Sequence, residues 1–137
     1  MIVRAARETD IGAMKALIDR YAAEDRMLER SDAFLRGNLA DFIVAADDWF
    51  LGCAALAVIT KDLAEVRSLA VAPDAGGRGV GKAIVLACVE RARERGLHRV
   101  FALTLVPDFF IKCGFTLTSL GRLPEKSASE CPVCPKR

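Results

Sequence analysis

Between Val66 and Val89 the sequence passes from the two-residue period of a β-strand to the spacing of an amphipathic helix, across a run of glycines. One strand face is predicted to carry Val66, Ser68, Ala70 and Ala72, and the other Arg67, Leu69 and Val71. Pro73 ends the strand, because proline has no N–H to donate to a neighbouring strand. The helix then places Val80, Ile84, Ala87, Cys88 and Ala92 on one apolar face.

The turn between strand and helix holds four glycines within six residues, namely Gly76, Gly77, Gly79 and Gly81. Glycine lets a backbone turn tightly and approach a ligand closely, because no Cβ intervenes. The helix that follows begins with unpaired N–H groups at the positive end of its dipole, which favours a bound anion. Arg78 and Lys82 add positive charge. The pattern predicts a phosphate-binding loop, and the alternative is a glycine-rich turn without a ligand.

Two common phosphate-binding patterns do not fit this loop. The Rossmann spacing G-x-G-x-x-G needs a third glycine where Ile84 stands, after Gly79 and Gly81. The P-loop needs a hydroxyl for magnesium after Lys82, and the residue there is Ala83.

Six strands and four helices are predicted along the chain. The strands are residues 2–6, 42–46, 49–59, 63–72, 100–105 and 115–120; the helices follow Thr9, follow Ser31, run from Val80 to Gly96, and span 108–113. The three strands from 42 to 72 are joined by tight turns and should be antiparallel, whereas strand 100–105 is entered from a helix and should be parallel to strand 63–72. The predicted fold class is therefore α/β of a mixed α+β kind, with a mostly antiparallel sheet flanked by helices in the order β-α-α-β-β-β-α-β-α-β.

The composition is that of a globular protein. The 137 residues are 53% hydrophobic and 28% charged, and we expect one domain over residues 1–137 with an extended or frayed polar tail from 121 to 137. No apolar run approaches the ~20 residues of a membrane helix, and the N-terminus has no secretory pattern, so we expect a cytoplasmic protein without a membrane partner. A net charge of +2, without a basic stripe interleaved with aromatic residues, predicts no nucleic-acid partner.

The five cysteines do not form an evident metal site. Cys53 and Cys88 fall on apolar faces and are predicted to be core residues. Cys131 and Cys134 form a C-x-x-C, but the single histidine, His98, is far away in sequence and a zinc site needs about four ligands. We expect no metal and a reduced thiol pair, with a redox or intermolecular disulfide as the alternative.

The glycine loop resembles the acetyl-coenzyme A loop of the GNAT acetyltransferases, which is written R/Q-x-x-G-x-G/A. Gly79 and Gly81 match its small positions, whereas Gly76 stands where the family usually has Arg or Gln. The order of elements is also the GNAT order. Segments 62–71, 100–104 and 109–115, with the tail Leu123-Pro124-Glu125-Lys126 and the C-x-x-C, resemble the small stand-alone amino-acid N-acetyltransferases of the N-acetylglutamate synthase type.

The resemblance implies acetyl-CoA as the cofactor, with a homodimer as the common assembly. It places the pantetheine arm and thioester along the strand backbone at Leu69, Ala70 and Val71. It places the pyrophosphate on the loop residues Gly76, Gly77, Arg78, Gly79, Val80, Gly81 and Lys82. Thr104, Phe109 and Phe110 are implied as further cofactor contacts.

Glu65 is the best candidate for acid–base catalysis, with Ser68 as the second catalytic candidate. An equally weighted alternative for Glu65 is a structural pair with Arg67, its neighbour on the same strand face. Many GNAT enzymes protonate the leaving thiolate with a tyrosine on the short helix after the penultimate strand, and Phe109 and Phe110 stand there in this sequence. Tyr21, the only tyrosine, lies on the apolar stripe of the first helix and is predicted to be a core residue.

Arginines bind carboxylates in a bidentate manner, so Arg30 and Arg67 are predicted to hold the carboxylates of an amino-acid acceptor, with Lys61 and Lys126 as lesser candidates. The resemblance implies acetyl transfer to the α-amine of glutamate, or of glutamine, in arginine biosynthesis. Two alternatives stay open. One is a GNAT enzyme for another amine, such as a protein N-terminus, a polyamine or a drug. The other is a CoA-binding module without turnover.

Overall fold

A seven-stranded mixed sheet lies at the centre of the computed structural model, which describes residues 1–117 and 131–135. The strands are β1 (Ile2–Ala5), β2 (Phe42–Ala46), β3 (Phe50–Val58), β4 (Leu63–Val71), β5 (Arg99–Thr104), β6 (Phe115–Leu117) and β7 (Cys131–Pro135). The helices are α1 (Ile11–Ala23), α2 (Asp32–Gly37), α3 (Val80–Glu94) and α4 (Pro107–Lys112). None of the helices in these ranges is both long and apolar enough to cross a bilayer.

The sheet order is β1-β2-β3-β4-β5-β7-β6. The pairs β1–β2, β2–β3 and β3–β4 are antiparallel, whereas β4 and β5 are parallel. Both predicted kinds of pairing are therefore confirmed. The fold class is therefore confirmed.

Within the tail, which was predicted to be extended or frayed, Cys131–Pro135 is extended and joins the sheet, a pairing that the sequence did not predict. This segment forms β7 between β5 and β6 and pairs antiparallel with both, because it satisfies two strand edges that would otherwise be open. The motif at residues 123–126, with Lys126, lies outside the described residues.

The two faces of the sheet carry separate apolar clusters. On one face α3 packs through Ile84, Val85 and Cys88; on the other, α1 packs through Met14 and Ile18. Cys53 and Cys88 are fully buried, which confirms their predicted core roles. Tyr21 is only half-buried, with its ring packed against the second cluster. Burial raises the pKa of both cysteine thiols to about 12.

The helix starts were predicted with mixed success. Ser31 caps α2 as predicted, because its hydroxyl accepts a hydrogen bond from the Phe34 N–H at 3.0 Å. The predicted cap at Thr9 was wrong: a 3₁₀ turn precedes α1, and the Asp10 carboxylate accepts from the Arg7 N–H at 2.7 Å and from the Arg4 guanidinium. The Arg4 hydrogen bond is the main cause that lowers the pKa of Asp10.

One extra residue in β4 reverses the face alternation that the sequence predicted. Cys53 pairs with Ala70 while Ala55 pairs with Arg67, so β4 has one residue more than β3 over this interval. Ser68 adopts a left-handed φ of 55° at this bulge. Val66 consequently packs on the α3 side and Ala70 on the α1 side, so the predicted common face of Val66, Ser68 and Ala70 was wrong.

Candidate active site

The pairing between strands β4 and β5 ends about halfway along their length. Their parallel pairing covers three positions and ends at Glu65 and Phe101, although β4 continues to Val71 and β5 to Thr104. The bulge at Ser68 lies three residues after Glu65, and an extra residue of this kind bends a strand. A groove therefore opens between the two strands at the end where β4 leads into the glycine loop.

The peptide between Val71 and Ala72 shows which groups face this groove. The Ala72 N–H donates to the Leu51 carbonyl of β3 at 2.8 Å. The N–H and C=O of one trans peptide point in opposite directions, so the Val71 carbonyl points away from β3, towards the groove. The predicted cofactor segment Leu69 to Val71 thus lies at the groove's open edge.

The glycine loop has the backbone geometry that its composition predicted. After a 3₁₀ turn at Pro73–Ala75, Gly77 and Gly79 adopt left-handed φ values of 80° and 76°, which side-chain-bearing residues rarely adopt. Gly79 directly precedes α3, so the unpaired N–H groups of that helix begin at the loop. The side chain of Val80 is buried in the core, so only its backbone can reach a ligand.

The two cations of the loop are exposed. Arg78 pairs with Asp47 at 2.5 Å, and Asp47 also binds the N-terminal ammonium at 2.9 Å. The Arg78 side chain is half exposed, and ion pairs of that kind contribute only about 0–1 kcal/mol, so a phosphate could replace Asp47 as its partner. Lys82 is exposed in the first turn of α3.

The predicted cofactor contacts on and before the short helix α4 differ in their burial. Phe109 is half-buried beside the loop, and a Cβ on Gly81 would lie 3.1 Å from its ring, so glycine lets the loop and α4 approach closely. Phe110 is in the core, edge-on to Phe115 with ring centroids 5.4 Å apart. The buried Thr104 hydroxyl accepts from the Val106 N–H at 2.9 Å. The structure thus gives Phe110 and Thr104 packing and turn contacts of their own.

On the α1 side of β4, the structure brings three of the predicted residues together. The buried Glu65 carboxylate binds Nε of Arg67 at 2.6 Å. Arg30 lies close enough to both that their charges affect its pKa, which is lowered first by burial, then by the Arg67 charge, and is raised by Glu65. Its guanidinium stacks on the Phe34 ring at 4.6 Å. The cluster carries two positive charges and one negative charge.

Arg30 carries a buried hydrogen-bond donor that is unsatisfied within the described part of the chain. Its Nε is buried and has no hydrogen-bond partner among the described residues. An open cleft of about 400 Å³ lies beside it, lined by Glu29, Arg30, Ser31 and Phe34. A buried donor without an acceptor costs about 1–3 kcal/mol, and a carboxylate in the cleft would remove that cost.

Other predicted residues lie apart from this cluster. Lys61 is exposed in the β3–β4 turn, at the end of β4 opposite the loop. Ser68 lies at the bulge in a strained backbone conformation, between the arginine cluster and the groove. Cys113, the remaining cysteine and not a predicted site residue, is buried, which raises the pKa of its thiol and disfavours the reactive thiolate.

Two residues of the site were missed from the sequence. Tyr21 reaches the groove through its hydroxyl, which donates to the Val71 carbonyl at 2.5 Å. Its partner is 50 residues away, so no local pattern could have indicated the contact. Phe34 supports Arg30, and its position four residues after that arginine was the available signal.

Comparisons with known proteins identify relatives of this chain. The sequence profile of the acetyltransferase (GNAT) family matches residues 10–115. An amino-acid acetyltransferase of Mycobacterium tuberculosis is 41% identical over 119 residues, which are 84% of this chain and 68% of that protein.

Two solved structures share the fold. A Mycobacterium tuberculosis protein crystallised in complex with CoA superposes with a TM-score of 0.88 at 29% identity, covering 100% of this chain and 99% of that one. The N-acetylglutamate synthase of Neisseria gonorrhoeae, complexed with coenzyme A and N-acetyl-glutamate, gives a TM-score of 0.86 at 26% identity. That match covers 98% of this chain and 34% of the synthase, so the chain spans about a third of its length.

The left-handed loop glycines give a direct test of the loop. Gly79→Ala forces a Cβ into φ 76° and should destabilise the fold by about 1 kcal/mol while weakening coenzyme A binding. The matched control is Gly12→Ala in α1, where a Cβ meets nothing within 4 Å and alanine should be neutral or stabilising. Thermal unfolding and calorimetric titration with coenzyme A measure both effects. Unchanged coenzyme A affinity in Gly79→Ala would show that the loop does not hold the ligand.

Proposed function

The chain belongs to the GNAT family of acetyltransferases, and from that membership we propose that it transfers the acetyl group of acetyl-coenzyme A to the α-amine of an amino acid. Glutamate is the proposed acceptor, with glutamine as a close second, and arginine biosynthesis is the proposed setting. The domain extent over residues 1–137, the homodimer and the cytoplasmic location remain predictions.

The cofactor is proposed to lie in the groove between β4 and β5. The loop from Gly76 to Lys82 would hold the pyrophosphate through its backbone N–H groups, with Arg78 and Lys82 as side-chain cations. Because Gly76 provides no side chain where the family usually has Arg or Gln, these two cations would carry the side-chain part of phosphate binding. The backbone at Leu69 to Val71 would border the pantetheine arm.

The buried, unpartnered Nε of Arg30 is the observation that carries the proposed acceptor. Arg30 and Arg67 lie near one another, with the Glu65 carboxylate paired to Arg67 and Glu29 also lining the cleft. An amino acid brings at least one carboxylate, which guanidinium groups bind well. A polyamine would bring no carboxylate for the two arginines to bind.

Acetyl-CoA supplies a thioester, and the acceptor's neutral amine forms the new C–N bond at its acyl carbon as the C–S bond breaks. A backbone N–H at the bulged edge of β4 would stabilise the negative charge that develops on the carbonyl oxygen. Glu65 is the proposed acceptor of the proton that the amine loses, directly or through water. The thiolate can leave without an acid, since a free thiol has a pKa of about 8.5. Phe109 and Phe110 provide no acid.

The function is tested by release of free thiol from acetyl-CoA with each of the twenty amino acids. We expect turnover with glutamate, glutamine or both. If no amino acid releases thiol while another amine does, the acceptor is that amine and this proposal is wrong. Binding of coenzyme A without turnover on any amine would favour a binding module.

Arg67→Ala is expected to raise the acceptor KM at least about tenfold and to leave the acetyl-CoA KM within about twofold, because a carboxylate contact is lost. Arg36→Ala is the control, since Arg36 is exposed and pairs with Asp32 on α2. Steady-state kinetics with both substrates varied measure the effect. Equal increases in both KM values would contradict the assignment of Arg67 to the acceptor.

Glu65→Gln distinguishes the two roles that the sequence left open for this residue. If Glu65 accepts the proton, kcat should fall by about a hundredfold. If it only holds Arg67, the acceptor KM should rise and kcat should stay within about threefold. Glu90→Gln, which removes an exposed carboxylate paired with Arg93 on α3, is the control.

A further inference from the structure

The only tyrosine of the chain joins the end of α1 to the open edge of β4. The Tyr21 hydroxyl donates to the Val71 carbonyl at 2.5 Å, and Tyr21 is otherwise packed against the apolar cluster of α1. The peptide that carries this carbonyl is itself fixed, because the Ala72 N–H donates to Leu51 of β3. The carbonyl is therefore the rigid partner, and Tyr21 is the residue that it holds in place.

Tyr21 in turn holds the connector between α1 and α2, residues 24–31, which contains Arg30. The Arg26 N–H donates to the Tyr21 carbonyl at 2.9 Å, and the Arg26 guanidinium lies 4.4 Å from the centre of the Tyr21 ring. Asp25 has a left-handed φ of 57°, so the chain turns sharply there. The connector thus leaves α1 in a direction that is set around Tyr21.

The far end of the connector is held by α1 as well. Lys15 Nζ donates to the Arg30 carbonyl at 3.3 Å while it also pairs with Asp19. Arg30 therefore depends on two attachments to α1, and only the one through Tyr21 reaches the sheet at the groove.

We propose that Tyr21 is a positioning residue for the acceptor: its hydroxyl ties the connector that carries Arg30 to the edge of the cofactor groove. This inference rests on the proposed function, because it takes the Arg30 cleft as the acceptor site and the groove as the cofactor site. The carbonyl oxygen has a second lone pair, so a donor on the pantetheine arm can share it with Tyr21. The cofactor groove thus touches the carbonyl end of this hydrogen bond, and the segment that leads to Arg30 is attached to the tyrosine at its other end.

Tyr21→Phe removes the hydroxyl and keeps the ring, its packing and its contact with Arg26. With the amino acid that gives turnover in the thiol-release assay, the acceptor KM is expected to rise about tenfold. The acetyl-CoA KM and kcat are expected to stay within about threefold. Ile18→Val, a fully buried substitution on the same helix, is the control for a loss of stability alone and should leave both KM values unchanged. An unchanged acceptor KM, or equal rises in both KM values, would overturn the proposal.

A second measurement does not depend on turnover. Because the chain has one tyrosine, protein labelled with 3-fluorotyrosine gives one fluorine resonance. Saturating coenzyme A should shift that resonance, with the same midpoint as the heat of binding in calorimetry. If coenzyme A binds and the resonance does not move, this inference fails and the proposed function stands. If calorimetry detects no binding of coenzyme A, the proposed function itself fails.

Discussion

The bulge at Ser68 is the constraint on which the candidate site depends. A regular β4 would continue its parallel pairing with β5 beyond Glu65, and the edge groups up to Val71 would be used within the sheet. The extra residue bends the strand after the last paired position, and the strained backbone of Ser68 is the cost of that bend. Main-chain groups at the end of β4 are thereby left facing a groove instead of a neighbouring strand.

The same bulge would let the two proposed substrates meet at one strand. Before it, Glu65 and Arg67 face α1 and α2, where Arg30 lies in its cleft. After it, β4 leads along the groove into the glycine loop and α3. The proposed acceptor side and the proposed cofactor side therefore lie on either side of the bulge in one strand.

The sequence predicted what local patterns encode. Glycine spacing predicted the loop, hairpin turns predicted the antiparallel strands, and the spacing of Glu65 and Arg67 predicted their pair as one of two alternatives. The position of Arg30 beside this pair was not predicted. It could not predict the bulge, because nothing marks a serine as left-handed. It also missed β7, since the two prolines of Cys131–Pro135 argue against a strand and only the edges of β5 and β6 make one favourable. The burial of Phe110 and Thr104 was not predicted, because tertiary packing decides which residues are buried.

The central claim is that the groove between β4 and β5 binds coenzyme A. A crystal structure with coenzyme A bound tests it most directly. We expect the pyrophosphate against the backbone of residues 76–82 and the pantetheine arm between the two strands, within hydrogen-bonding distance of Val71. A nucleotide bound elsewhere, with the groove empty, would contradict the account.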